Sequence, residues 1–139
     1  MRQENRPLTL EARKSSGLNH GNVLIVEDDK DTADTLVVVL ASAGYGVRKV
    51  SNRDSALQVL KSNLYQCIVL DFYMPGMPAK DFMAALKRVQ PLSKVLLITA
   101  ANEVEVEAKK LGVTCYLGKP FENEALLKLV AQCCRAEHV

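Results

Sequence analysis

A predicted buried strand that ends in a single carboxylate lies near the middle of the chain, in Cys-Ile-Val-Leu-Asp-Phe-Tyr-Met-Pro-Gly, residues 67–76. Four mainly apolar residues lead to one carboxylate, Asp71, and a Pro-Gly turn follows after three more residues. A short apolar run of this kind is typical of a strand buried on both faces. Asp71 would then lie at the carboxyl end of that strand, where open α/β sheets hold ligands, or it would simply begin a solvated turn.

The composition is that of an ordinary globular domain, with 139 residues of which 48% are hydrophobic and 24% charged. No apolar run approaches the roughly 20 residues that span a bilayer, and the N-terminus lacks the apolar segment of a signal peptide. We therefore expect a cytoplasmic protein without membrane contacts. The net charge of +2 lies in residues 1–20, so no basic stripe indicates direct binding of nucleic acid.

The four cysteines, Cys67, Cys115, Cys133 and Cys134, lack the paired spacing of a zinc site. We expect all of them to be reduced thiols, with Cys67 and Cys115 as small core residues. Cys133 and Cys134 are adjacent in a helical pattern, which predicts that at most one of the two points inward.

Strand-like and helix-like segments alternate five times from residue 22 onwards. The predicted strands are 22–26, 46–50, 67–71, 94–98 and 113–117, and the predicted helices are 31–43, 52–62, 79–89, 102–111 and 122–135. This alternation predicts an α/β fold: a five-stranded parallel sheet in the order 2-1-3-4-5 with five helices on both faces, the flavodoxin-like doubly wound arrangement. Residues 1–20 show no periodicity and are expected to form a mobile tail before a single domain over 21–139.

Acidic residues follow the first and third strands, which are neighbours in this order. Glu27, Asp28 and Asp29 follow strand 1, and Asp71 ends strand 3. Carboxylates held this close repel one another, and Mg²⁺, which prefers oxygen ligands, would relieve the repulsion. Glu27 and Asp29 could instead only cap the first helix through its dipole, a reading that suits Asp29 better than Asp28.

A hydroxyl and an ammonium are expected at the same edge of the sheet, because Thr99 follows strand 4 and Lys119 follows strand 5. Taken singly, Thr99 is most simply a hydroxyl at the end of a strand and Lys119 a surface lysine. Together with a metal they suit an anionic group held at Asp71, since Lys119 would neutralise phosphoryl oxygens and Thr99 would donate a hydrogen bond. A carboxylate can itself be the nucleophile and form an aspartyl phosphate.

Over about residues 22–135 the chain resembles a receiver domain of the two-component response regulators. The resemblance rests on Glu27-Asp28, on Val-Leu-Asp-Phe-Tyr-Met-Pro-Gly-Met around Asp71, on Thr99-Ala100 and on Lys119-Pro120-Phe121. It implies a signalling domain rather than a conventional enzyme, in which Asp71 accepts a phosphoryl group from a histidine kinase or a histidine phosphotransfer protein.

The resemblance also implies roles for the neighbouring residues. Mg²⁺ (or Mn²⁺) would be held by Glu27, Asp28, Asp71 and the backbone carbonyl of Tyr73. Thr99 and Lys119 would contact the phosphoryl oxygens, and the Lys119-Pro120 peptide would be cis.

Tyr116 matches the switch aromatic of the family, whose ring would move inward with Thr99. That movement would remodel the face of helix 4, strand 5 and helix 5 for a downstream output domain or protein, or for a phosphorylation-dependent dimer.

Three departures from the family pattern stand out. Pro78-Ala79 replaces an Asp-Gly-type pair, and the interval from Thr99 to Lys119 is about two residues shorter than usual, which shortens helix 4 or its leading loop. Tyr73 is larger than its counterpart in many relatives, so we hypothesise that its ring shields an aspartyl phosphate from water.

Three other functions fit the sequence less well. The main alternative is a degenerate receiver that is not phosphorylated and acts as a protein-interaction module. This chain has all the key side chains needed for phosphorylation, so the degenerate receiver comes second. A phosphatase with an aspartate nucleophile would need a second Asp at position 73, where Tyr73 stands. A flavin-binding module would need a Gly-rich or hydroxyl-rich loop in place of residues 27–29.

Overall fold

The computed structural model describes residues 20–135, where five strands alternate with five helices. The strands are β1 (Asn22–Val26), β2 (Gly46–Val50), β3 (Cys67–Asp71), β4 (Lys94–Ala100) and β5 (Cys115–Lys119), and the helices are α1 (Lys30–Ser42), α2 (Arg53–Leu60), α3 (Ala79–Val89), α4 (Val104–Leu111) and α5 (Asn123–Arg135). The tail predicted over residues 1–20 lies, except for its last residue, outside the described residues. Among residues 20–135 there is no helix with the length and apolar character of a membrane span.

The five strands form one parallel sheet in the order β2-β1-β3-β4-β5, which confirms the predicted topology. Val26 pairs with Leu70, and Asp71 pairs with Ile98. Because every strand runs in the same direction, the carboxyl ends of β1, β3, β4 and β5 meet at one edge of the sheet.

The core consists of one apolar layer on each face of the sheet. Alternate strand residues such as Leu24 and Leu97 pack against α2, α3 and α4, whereas Val23 and Leu96 pack against α1 and α5. These strand side chains are completely buried. The burial on both faces explains why the strands read as continuous apolar runs in the sequence.

Two predicted helix starts have the expected caps. The carboxylate of Asp29 accepts hydrogen bonds from the backbone N–H and the hydroxyl of Thr32, at 2.9 and 2.6 Å. Asn52 accepts one from the backbone N–H of Ser55 at 2.7 Å. Asp29 is therefore a capping residue, as the dipole argument suggested.

The predicted bounds were wrong around α4. β5 begins at Cys115 rather than at residue 113, because the N–H of Val113 still bonds to the carbonyl of Ala108 and belongs to the end of α4. α4 begins at Val104 rather than at residue 102, since a turn precedes it in which the N–H of Glu103 bonds to the carbonyl of Ala100. β4 is correspondingly longer than predicted, because it extends to Ala100. β5 also extends further than predicted, so Lys119 is its last residue and does not follow it.

The prediction for the paired cysteines was also wrong, because Cys133 and Cys134 are both buried. The last turn of α5 is covered on two sides. The Sγ atom of Cys133 lies 3.2 Å from that of Cys115, while Cys134 lies beneath Gly21, where an added Cβ would come within 3.0 Å of its sulfur. All four cysteines are reduced, as expected.

Candidate functional site

An open cleft of about 820 Å³ lies at the carboxyl edge of the sheet. It brings together six of the seven residues predicted for the site, all but Tyr116. These are Glu27, Asp28, Asp71, Tyr73, Thr99 and Lys119. Strand topology thus assembles a cluster whose members are up to 92 residues apart (27 to 119) in the sequence.

Three carboxylates converge at the floor of the cleft. One oxygen from each of Glu27, Asp28 and Asp71 lies within 4.8 Å of the other two. Glu27 and Asp71 are buried, whereas Asp28 is exposed. A cluster of oxygen ligands with one side open to solvent fits Mg²⁺, which prefers such ligands and retains several of its waters.

Lys119 extends over two of these carboxylates. Its Nζ atom lies 3.5 Å from Asp71 Oδ1 and 3.8 Å from Glu27 Oε1. The ammonium is partly exposed, so each ion pair contributes little to stability. Its position above the acidic floor instead makes it available to an anion bound at Asp71.

The electrostatics of the cleft disfavour charge on its buried acids. Burial raises the pKa of Asp71, an effect that the ammonium of Lys119 opposes and the nearby Asp28 increases. Burial likewise raises the pKa of Glu27, although the hydrogen bond from the N–H of Asp29 lowers it in part. Both side chains are ionised at neutral pH only at a cost to folding, which a bound cation would reduce.

This cost predicts a pH-dependent effect of Asp71→Asn. Because the pKa of Asp71 is higher in the folded protein than its ordinary 3.8, the folded protein binds the proton more tightly, and stability is lost as the pH rises through the folded-state pKa. Without divalent cations, Asp71→Asn should be more stable than the parent at pH 7. The difference should disappear as the pH falls towards 4.

Urea denaturation of both proteins across this pH range would measure the effect. A constant difference between parent and variant at every pH would contradict it, because such a difference would not come from ionisation of Asp71.

Thr99 is buried with an unused hydroxyl. Only 2% of its surface is exposed, and its Oγ1 atom has no hydrogen-bond partner within residues 20–135. Buried polar atoms are nearly always paired, so this hydroxyl at the wall of the cleft is available to a hydrogen-bond acceptor bound there.

A glycine brings the ends of β4 and β5 together. Gly118 pairs with Thr99 in the sheet, and a Cβ added at Gly118 would lie 2.7 Å from the Cβ of Ala101 and closer still to its Cα. No side chain fits there. Gly118 therefore permits the close approach that positions Thr99 beside the strand end carrying Lys119.

Arg53 is a site residue that the sequence reasoning missed. The residue is only 2% exposed, and its guanidinium group donates hydrogen bonds to the backbone carbonyls of Asp71, Phe72 and Met77, at 2.9, 2.8 and 2.7 Å. It thus holds both ends of the loop between β3 and α3. Helical spacing could have revealed it, because position 53 lies on the same inward face as Ala56.

Tyr73 lies at the mouth of the cleft and bridges two loops. The residue is 58% exposed, and its ring contacts Phe72 edge-on, with ring centroids 4.9 Å apart. Its hydroxyl donates a hydrogen bond to the carboxylate of Glu103, just before α4. Glu103 gave no signal in the sequence, because the bond depends on how the β4–α4 turn folds.

The predicted switch residue lies outside the cleft. Tyr116 is half-buried and packs against the apolar layer on the side of α2, α3 and α4. Its role as a switch stays a prediction. The peptide between Lys119 and Pro120 is cis, as expected.

These features define a class of α/β domain in which an acidic cleft at the carboxyl edge of a five-stranded parallel sheet can take a cation and an anion together. The family model of the response regulator receiver domain matches residues 23–131, so the chain belongs to this family. The protein is accordingly a signalling domain of the two-component type.

Curated relatives agree with this assignment. The chain is 32% identical over 117 residues to the transcriptional regulatory protein FixJ of Bradyrhizobium diazoefficiens, an alignment that covers 83% of this chain and 57% of FixJ. It is 38% identical over 112 residues to the response regulator protein FleR of Pseudomonas aeruginosa, covering 79% of this chain and 24% of FleR. The chain thus spans about half or less of these relatives.

Solved structures show the same fold. Full-length FixJ from B. japonicum superposes with a TM-score of 0.76 at 31% identity, covering 84% of this chain and 59% of that one. The chemotaxis protein CheY4 of Vibrio cholerae superposes with a TM-score of 0.71 at 27% identity, covering 81% and 97%.

Proposed function

We propose that Asp71 accepts a phosphoryl group from a phosphohistidine of a histidine kinase or a histidine phosphotransfer protein. The observation that carries the proposal is the buried, unpartnered hydroxyl of Thr99 in the same cleft as Asp71 and Lys119. A phosphoryl group on Asp71 would supply the acceptor that this hydroxyl lacks.

In this reaction an oxygen of Asp71 attacks phosphorus, the bond from phosphorus to the donor imidazole breaks, and its electron pair returns to the imidazole nitrogen. Lys119, 3.5 Å from Asp71, would neutralise one phosphoryl oxygen, and Thr99 would donate a hydrogen bond to another. Bound Mg²⁺ would supply further neutralisation of the phosphoryl charge. Arg53 holds the backbone of the attacking residue in place.

The metal would be held by the carboxylates of Glu27, Asp28 and Asp71 and by the backbone carbonyl of Tyr73. The close approach of the three carboxylates supports this ligand set. Mn²⁺ suits the same ligands.

The output would use the face of α4, β5 and α5, with Tyr116 as its switch. The position of Tyr116 in β5, three residues before Lys119 and against the layer that contains α4, supports a coupling between the cleft and this face. The proposal treats residues 21–139 as one cytoplasmic receiver domain that binds a downstream domain or protein, or a second copy when phosphorylated.

The test is the intact mass of the protein after incubation with Mg²⁺ and acetyl phosphate. The parent should gain one phosphoryl group, and Asp71→Ala and Asp71→Asn should gain none. Omission of Mg²⁺ should abolish the gain.

If the folded parent binds Mg²⁺ but gains no phosphoryl group, even from a phosphorylated histidine phosphotransfer protein, the domain is a degenerate receiver and the proposal is wrong. A gain of equal size in Asp71→Ala would place the acceptor elsewhere.

Tyr73 is expected to slow the loss of the phosphoryl group, because its ring, anchored to Glu103, would restrict the access of water to Asp71. Tyr73→Asn should lose the group several-fold faster than the parent. Tyr73→Phe keeps the ring without the anchor and should lie between them. The decay of the phosphorylated mass after removal of the phosphodonor measures all three rates, and an unchanged or slower rate in Tyr73→Asn would contradict the idea.

A further inference from the structure

Two thiols lie in contact at the edge of the sheet opposite the acidic cleft. Cys115 is the first residue of β5, Cys133 lies in the last turn of α5, and their Sγ atoms are 3.2 Å apart. Both are free thiols. The phosphoryl-transfer site uses neither of them.

A second cavity of about 490 Å³ lies beside this pair. It lies between the end of α3 and the starts of β4 and β5, and both cysteines belong to its wall. Cys115 is partly exposed, whereas Cys133 is buried. Lys87 and Lys94 line the same cavity and give it a positive potential that favours an anionic ligand.

We propose that Cys115 and Cys133 form a redox-sensitive pair that a small anionic disulfide, such as oxidised glutathione, converts to an intramolecular disulfide. The proposal is independent of the function proposed for Asp71, because it rests on residues outside the acidic cleft.

The reaction proceeds by two exchanges. The sulfur of Cys115 loses its proton and attacks one sulfur of the small disulfide, whose S–S bond breaks to release a first small thiolate. The sulfur of Cys133, also deprotonated, then attacks the Cys115 sulfur of the mixed disulfide and displaces a second small thiolate. Two protein thiols are oxidised, one small disulfide is reduced, and the two protons end on the two small thiols.

The roles of the two cysteines follow from their exposure and contact. Cys115 is the more accessible, so it makes the first attack, and the adjacent Cys133 completes the disulfide. The hydrogen bond with Cys133 and burial raise the pKa of Cys115. The same bond lowers the pKa of Cys133, but the neighbouring Cys67 and burial outweigh it and raise that pKa to about 12. Both are therefore protonated at neutral pH, which makes the first exchange slow.

The disulfide would fasten the edge strand β5 to the end of α5. Tyr116 directly follows Cys115, so oxidation would restrain the strand that carries this ring.

The test uses the 139-residue chain and oxidised glutathione in native buffer, followed by denaturation and alkylation of the remaining thiols. The four cysteines of the untreated parent should all be alkylated, whereas the treated parent should take two alkyl groups and no glutathione. Tryptic digestion should yield a cross-link between residues 111–128, which contain Cys115, and residues 129–135.

Variants separate the two steps. Cys133→Ala should stop at a single glutathione adduct on Cys115, and Cys115→Ser should form neither adduct nor disulfide. Cys134→Ser is the matched control from the same tryptic peptide and should still form the disulfide, which assigns the cross-link to Cys133.

Three results would overturn the proposal: four alkylated thiols in the treated parent, a cross-link to residues 62–80 that places Cys67 in the disulfide, or a disulfide between two chains.

Discussion

Replacing Arg53 with methionine is expected to lower the free energy of unfolding by about 3 kcal/mol, because the backbone carbonyls of Asp71, Phe72 and Met77 all lose their donor. A carbonyl left buried without a partner costs roughly 1–3 kcal/mol, and those nearest the surface would regain a bond to water. Urea denaturation followed by circular dichroism measures the loss.

Arg53→Lys is the matched control. It keeps the positive charge, but a single ammonium cannot span the three carbonyls that the planar guanidinium reaches, so we expect an intermediate loss. A methionine variant as stable as the parent would show that the guanidinium does not hold the loop. If the loop carries a metal ligand, as proposed, Arg53→Met should also weaken the increase in unfolding midpoint that Mg²⁺ produces.

Gly118→Ala is expected to be destabilising by about 2 kcal/mol or more, since the added methyl group would meet the backbone of Ala101 rather than a flexible side chain. The ends of β4 and β5 would have to separate. This movement would displace Thr99, the sheet partner of Gly118, and Lys119. Phosphorylation by acetyl phosphate should therefore fall along with stability.

Gly112→Ala provides the comparison. Gly112 has a left-handed backbone with φ of 74°, but no atom lies within 4 Å of an added Cβ, so the substitution carries only the conformational cost of about 1 kcal/mol. Gly112 follows the end of α4 and lines the second cavity rather than the acidic cleft, so the variant should leave phosphorylation unchanged. If both alanine variants lost the same stability and both kept full phosphorylation, the close contact at Gly118 would not shape the site.

Sequence periodicity was sufficient to predict the strand order and the acidic edge. Apolar runs that are buried on both faces indicate a parallel sheet, and the parallel direction alone brings Glu27, Asp71, Thr99 and Lys119 to one edge. Fold and cleft thus depend on patterns within short segments and on one topological rule.

Contacts between segments were not predictable in the same way. Arg53 bonds to carbonyls 18 to 24 residues away, and the contact of Cys133 with Cys115 depends on where the last turn of α5 meets an edge strand. A charged residue at the start of a helix and two adjacent cysteines have more common explanations. Only the three-dimensional structure shows that Arg53 holds a loop and that Cys133 contacts Cys115.

The unpaired hydroxyl of Thr99 and the raised pKa values of Glu27 and Asp71 have a consequence for the lifetime of the protein. An unpaired hydroxyl and carboxylates that are costly to ionise both lower the free energy of unfolding when nothing is bound in the cleft. Any occupant that pairs these atoms moves the equilibrium away from the unfolded chain. A protease that cleaves only unfolded chains would thus degrade the liganded form more slowly, so occupancy of the cleft would set how long the molecule persists as well as what it signals.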